Sequence, residues 1–241
     1  MRSQHFAERF AYFRVLERDI HRFLREVHGL QADQRPVDVP ARLQHLGAAL
    51  REIDAIGLQQ GLLGEAVFDN CRVPAANLVG GENAGVKVVM SGLDLERAMI
   101  APLCLGIAER ALELSLDYAR TRQQFGQPIA SFQMIQDKLA QMYVWVESMR
   151  LFTYQALRAA SALEHGEIGR GEIHKLSAAS VMFAANTMNS VLDEAVQIHG
   201  GSGYIWESEV NRLYRSIKLL EIGAGTTEVR KIIISGEMLR G

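Results

Sequence analysis

Residues 90–97 read Met90-Ser91-Gly92-Leu93-Asp94-Leu95-Glu96-Arg97, and the reading of the whole chain works outward from them. From Lys87 to Arg122 the only proline is Pro102, and apolar side chains recur at helical spacing. Leu93, Leu105, Ile107, Leu112, Leu116 and Ala119 make one wide apolar face, which predicts a long amphipathic helix. Glu96 then stands on that helix next to Arg97. Asp94 lies three residues before Arg97, within ion-pair reach. By spacing alone these three charges read as a solvated helix face.

The chain has 241 residues, 48% hydrophobic and 22% charged, an ordinary globular composition. The formal net charge is −2, with no block of like charge, so nothing points to nucleic acid or a membrane surface. Cys71 and Cys104 are far apart and make no metal spacing; free thiols are the expectation. There is no signal-like start and no 18-residue apolar run, so the expected location is the cytoplasm, with no membrane span.

Ahead of the quoted stretch, residues 3–28 are helical by period and residues 31–40 read as a polar linker. Ala41 to Ile53 suggests a short helix. Glu65-Ala66-Val67-Phe68 alternates as a short strand does, and a turn follows at 69–74. Beyond it, helices are expected at 86–121, 131–164, 171–199, 207–219 and 226–239. The breaks are Gly126-Gln127-Pro128, residues 166–171, Gly200-Gly201-Ser202-Gly203 and Gly223-Ala224-Gly225. Long amphipathic helices with short loops describe a four-helix bundle. The fold class is therefore mainly α. Expected domains are a helical segment over 1–55, a short β remnant and linker over 56–85, and a helical bundle over 86–241.

Three constellations could carry chemistry. Arg120-Thr121-Arg122-Gln123-Gln124-Phe125-Gly126-Gln127-Pro128 ends a helix in two cations and turns; favourable charge at a helix C-terminus explains one of them. Gln197-Ile198-His199-Gly200-Gly201-Ser202-Gly203-Tyr204 exposes backbone amides, or is simply an interhelical turn. Gly223-Ala224-Gly225-Thr226-Thr227-Glu228 opens a helix, where free amides suit a polar or anionic ligand. Neither the spacing of a di-iron bundle site nor a Gly-x-Gly-x-x-Gly after a strand occurs, and no metal is expected.

Residues 90–97, the Val67-Phe68 to Val73-Pro74 segment and these three stretches together resemble the acyl-CoA dehydrogenase family, most closely its isovaleryl-CoA dehydrogenase branch. The resemblance covers roughly residues 57–241; residues 1–55 do not align with the helical and β-domains that a full member carries ahead of this point. It implies FAD-dependent α,β-dehydrogenation of an acyl-CoA, short or branched, with Glu96 as the base that takes the α-proton and hydride passing to the flavin. In most other branches that base lies in a Tyr-Glu-Gly-Thr motif, where this chain has Ala224. Asp94, Arg97, Ala224 and Gly225 would border the substrate. Arg122, Phe125, Gln133, Gln197, Gly200, Gly201, Thr226 and Glu228 would contact FAD. The resemblance further implies an electron-transfer flavoprotein as acceptor, and a homotetramer or a complex with a longer homologous subunit. The reading from another class is a non-catalytic bundle used for oligomerisation or partner binding.

Overall fold

The computed structural model describes residues 48–52, 56–57, 64–68, 74–161 and 171–240. The expected helix over 3–28, the linker over 31–40, the turn at 69–73, Cys71 and the loop at 166–170 lie outside them. The chain divides into two compact units, one of residues 1–52 and 64–73, the other of residues 53–63 and 74–241.

In the first unit, β1 (Ala48–Glu52) pairs antiparallel with β2 (Gly64–Phe68), Ala48 opposite Phe68 and Glu52 opposite Gly64. The strand over 64–68 matches its alternating pattern. β1 corrects the helix expected over 41–53 at its C-terminal end. Ala-Ala-Leu-Arg-Glu is good helix sequence, but the ladder to β2 satisfies its backbone instead; tertiary pairing overrides a weak local preference.

The second unit is helical. α1 (Gly85–Thr121) runs 37 residues straight through Pro102. α2 (Gln133–Ser161) and α3 (Glu172–His199) follow. Then come a single turn α4 (Gly201–Tyr204), the short α5 (Glu209–Ser216) and α6 (Lys218–Ile222), and finally α7 (Thr227–Met238). The helix expected over 207–219 is thus two helices, α5 and α6, that meet at Ile217. α3 packs against α1, α2 and α7 and is the central helix.

Side-chain size explains the packing. α2 buries Met142, Val146, Met149, Thr153 and Ala156, a stripe at three- and four-residue steps. α3 is buried over most of its surface, with Ala178, Val181, Ala184, Ala185, Met188, Val191, Leu192 and Ala195 all closed to solvent. The most deeply buried face of α1 is built from small residues: Ala98, Ala101, Cys104, Ala108, Ala111 and Ser115. They let α3 approach closely. Of the apolar face read from sequence, Leu105 and Ala119 are buried, while Ile107 and Leu112 flank the core as partly buried residues.

Gly57 has a packing role in the same unit: a Cβ there would sit 2.3 Å from the Arg215 carbonyl oxygen. Among the described residues no helix is long and apolar enough to cross a membrane, and no cluster of metal-ligating side chains forms.

Candidate functional site

α1 carries the opening motif at one end and the Arg122 turn at the other, so one rigid element positions both. Glu96 is exposed on α1. Arg97, one residue on, is buried with 3% of its surface exposed. Asp94 lies on the same helix, and its side chain falls outside the described residues. Arg97 Nε donates to the Ala224 carbonyl oxygen at 3.0 Å. The Leu-Asp-Leu-Glu-Arg motif and the Gly-Ala-Gly-Thr stretch, 127 residues apart in sequence, therefore meet.

The 220–225 loop is held by two arginines. Arg230 has no exposed surface; its Nη2 donates to the carbonyls of Leu220 at 2.9 Å and Gly223 at 2.6 Å. Burial pulls its pKa below the usual arginine value, and the charge of Arg97 nearby pulls the same way. Cys104 lies beside them on α1; burial pushes its thiol up to about 12, so it is a neutral, inert packing group. Ala224 adopts φ +54° and Gly225 φ +96°. The left-handed region costs an alanine about 1 kcal/mol or more, so the loop's bonds hold Ala224 there. A Cβ on Gly225 would also lie 3.6 Å from an Arg97 guanidinium nitrogen.

Thr226 then caps α7, its hydroxyl accepting from the Val229 amide at 3.4 Å. Glu228 is exposed in the first turn. A hydrogen bond from its own amide, then one from the Thr226 hydroxyl, hold its carboxyl below the usual glutamate value. A carboxylate there also suits the positive end of the helix.

The second region is the rim of the bundle after α1. Arg122 ends the helix in extended backbone, its amide donating to the Tyr118 carbonyl at 2.8 Å. A two-residue turn follows: β3 (Gln123–Gln124) pairs with β4 (Gln127–Pro128) across Phe125 and Gly126, both at positive φ, the backbone of the tight hairpin turns. A bulky side chain rarely tolerates this conformation. Phe125 is 92% exposed and meets Phe132 edge to face with ring centres 6.1 Å apart. Gln133, exposed, opens α2.

The Gly200 loop lies against this rim. Tyr118, one turn before Arg122, stacks on His199 with ring centres 4.4 Å apart, and its hydroxyl is 3.3 Å from the Ser202 oxygen. His199 Nδ1 is 2.7 Å from the Ala195 carbonyl, which makes that nitrogen the donor. Gly200 turns at φ +56°, and a Cβ at Gly200 or Gly201 would meet nothing within 4 Å. Gln197 is exposed one turn earlier.

The expected site residues thus fall into two groups: Arg97, Ala224, Gly225, Thr226 and Glu228 at one loop, with Glu96 beside Arg97, and Arg122, Phe125, Gln133, Gln197, Gly200 and Gly201 at the other. Sequence reading missed Tyr118 and Ser202, which join the halves of the rim, and Arg230. The signal for Arg230 was its register: it precedes Ile233 and Ile234 by three and four residues on α7, which puts it on the inward face. An open groove bordered by Asn189, Asp193, Arg215 and Lys218 involves none of the expected residues.

The architecture and these two loops define a helical-bundle domain that presents its candidate ligand contacts at helix ends. Residues 83–239, more than half of the chain, match the family described as "Acyl-CoA dehydrogenase, C-terminal domain". Isovaleryl-CoA dehydrogenase, mitochondrial, of Oryza sativa subsp. japonica is 42% identical over 190 residues, covering 79% of this chain and 45% of that protein. The structure of butyryl-CoA dehydrogenase from Megasphaera elsdenii superposes with a TM-score of 0.74 at 35% identity, covering 80% of this chain and 49% of the other. An acyl-CoA dehydrogenase from Bacillus anthracis, solved in complex with FAD, gives 0.74 at 29% identity over 80% of this chain and 36% of the other. The chain belongs to the acyl-CoA dehydrogenase family. It spans about half the length of the curated relatives it matches.

Proposed function

We propose that this chain takes part in FAD-dependent α,β-dehydrogenation of a short or branched acyl-CoA, with Glu96 as the base for the α-proton. One observation carries the reading: Arg97 is bonded to the Ala224 carbonyl, so Glu96 stands one residue from an arginine anchored in the loop expected to border the thioester. Where other branches are expected to place a glutamate, Ala224 contributes only a methyl group, leaving the role to Glu96. Asp94, on α1 beside them, belongs to the same substrate group.

The rim residues fit a phosphate-bearing aromatic cofactor. Arg122 is an exposed planar cation suited to phosphate oxygens. Phe125 offers an exposed aromatic face, and Gly200 and Gly201 leave open backbone for close approach. Gln133 and Gln197 add exposed amides, while Thr226 and Glu228 offer a hydroxyl and a carboxylate at the start of α7. When bound, the flavin supplies a two-electron acceptor for the β-hydrogen. The chain's own contributions are different. Glu96 holds the proton, the Ala224–Gly225 backbone receives the thioester oxygen, and Arg122 with the Gly200 loop anchors the cofactor. An electron-transfer flavoprotein is the proposed acceptor, and a homotetramer or a longer homologous subunit the proposed assembly.

A second reading, a partner-binding bundle without catalysis, is favoured by α2. Met134, Tyr143, Val144 and Leu151 leave large apolar surface exposed on that helix. One experiment separates the two. The full chain is mixed with FAD and its visible spectrum recorded before and after isovaleryl-CoA. The catalytic reading expects a bound flavin band that bleaches, and a Glu96→Gln variant that keeps the band but bleaches about 10²- to 10⁴-fold more slowly. Full-speed bleaching by that variant rejects Glu96 as the base; no bound flavin favours the non-catalytic bundle.

A further inference from the structure

Arg230 is a buried cation whose hydrogen bonding is incomplete. Nη2 holds the Leu220 and Gly223 carbonyls, while Nε and Nη1 are buried with no partner among the described residues. Glu221, the carboxylate whose charge favours Arg230, is itself bonded by Asn189 and Lys218. Arg97 adds a second positive charge nearby. Two guanidiniums buried close together, one with donors unused, weaken the fold rather than support it. Such an arrangement calls for a reason other than stability.

The reason lies in peptide geometry. A trans peptide is planar, so its N–H points opposite to its C=O; no cis bond occurs among the described residues. By fixing the Gly223 carbonyl, Arg230 fixes the direction of the Ala224 N–H. By fixing the Ala224 carbonyl, Arg97 fixes the direction of the Gly225 N–H. Both N–H groups are thereby turned away from the cation that holds their peptide. Neither finds a backbone acceptor among the described residues. Successive amides in a turn can form a concavity for a negative oxygen, and a hydrogen bond at the carbonyl end polarises the peptide and strengthens its N–H as a donor.

We propose that Arg230 is a positioning residue of the acyl site: with Arg97 it clamps the 220–225 backbone from within the bundle, so that the Ala224 and Gly225 amides converge on the thioester oxygen as negative charge develops there. This deepens the dehydrogenase reading and rests on it for the identity of the ligand. Arg230 touches neither substrate nor cofactor; it acts through the loop.

The test uses the full chain with FAD and isovaleryl-CoA in D₂O, without an electron acceptor, and follows deuterium entering the α-carbon. In parallel, chain labelled with ¹⁵N at alanine and glycine reports the Ala224 and Gly225 amide resonances with and without the thioester. Arg230→Lys keeps a positive charge but replaces the planar fork with a single ammonium; Arg230→Met removes the charge as well. Arg230→Lys is expected to keep its helical content and to bind isovaleryl-CoA within about threefold of wild type. Its α-exchange is expected to fall at least about tenfold, because loss of an aligned oxyanion donor costs far more than that in direct cases. Both amide resonances should shift with thioester in wild type and respond weakly in the variant. Arg230→Met should be slower still, or unfold, and in that event Arg230→Lys decides. A lysine variant with a lower melting temperature but unchanged exchange and unchanged amide response overturns the proposal, because Arg230 is then only a loop tether. A wild-type chain that exchanges no α-proton rejects the acyl reading itself. The ligand-free amide resonances then judge the clamp, and equal values in wild type and Arg230→Lys overturn it.

Discussion

At the rim after α1, Arg122 stands exposed with Phe125 beside it, 92% exposed on strained backbone. At the 220–225 loop, Arg97 and Arg230 are buried and aim donors at carbonyls of their own chain, Arg97 through Nε and Arg230 through Nη2. The same side chain does opposite work in the two places. The rim has its turn fixed by backbone bonds and keeps its cation and ring exposed. The loop has its cations turned inward, and its Ala224 and Gly225 amides have no backbone acceptor among the described residues. A guanidinium offers a strong donor fork from outside, whereas a peptide held from behind offers a smaller and stiffer one. The first suits a diphosphate; the second suits a single oxygen that gains charge during a reaction.

The largest effect expected from this contrast is at Arg97. Arg97→Met removes the donor from the Ala224 carbonyl and leaves that acceptor part-buried without its partner, a loss of about 3 kcal/mol. Chemical denaturation should show it as a lower midpoint with little change in slope. A loss below about 0.5 kcal/mol would mean that the loop holds its shape without the clamp, and the contrast between loop and rim would collapse.

Cys104 probes the same buried corner by pH. Its thiol is pushed from 9.0 to about 12, mainly by burial. The folded state therefore keeps the proton while the unfolded chain gives it up. The sign follows: this contribution is fully present below about pH 9 and is lost as pH rises toward 12. At pH 10 the loss is about 1.4 kcal/mol, one pH unit above the unfolded value. Lysines and tyrosines titrate in the same range, so the informative quantity is the difference in stability between wild type and Cys104→Ala from pH 8 to 10. That difference should shrink by this amount. A constant difference would mean that solvent reaches the thiol, and the corner around Arg230 would not be closed.

The helices and the rim were legible in sequence, because their signals are local. The period of α1, the glycines after α3 and the Gly-Gln-Pro turn each act over a few residues. The clamp was not legible. Arg230 looks like one of many charges in a helix's first turns, and its burial depends on two other segments, the stretch from Leu220 to Gly223 and α1 with Cys104. The leucines of α1 misled in a similar way. Hydrophobicity marks the apolar face, but the most buried line of that helix belongs to alanines, cysteine and serine, because close helix approach selects for small volume. The strand over 48–52 escaped notice because its sequence favours helix and its partner lies twelve or more residues away.

The smallest effect on the fold is expected at the rim, where it is also the most telling. Arg122 makes its structural bonds through the main chain: its amide donates to Tyr118 and its carbonyl accepts from Ile129 at 2.9 Å. Alanine keeps both. The side chain forms no hydrogen bond or ion pair with any described residue, so Arg122→Ala should leave stability within about 0.5 kcal/mol of wild type. Losing one charge-assisted contact to a phosphate should still weaken FAD binding about tenfold or more, read as the FAD concentration needed to saturate the visible band. If stability falls by a kilocalorie or more while binding holds, Arg122 belongs to the frame like Arg97. If neither quantity moves, the cofactor's phosphates are held elsewhere, and the exposed cation at the end of α1 answers only the negative pole of its helix.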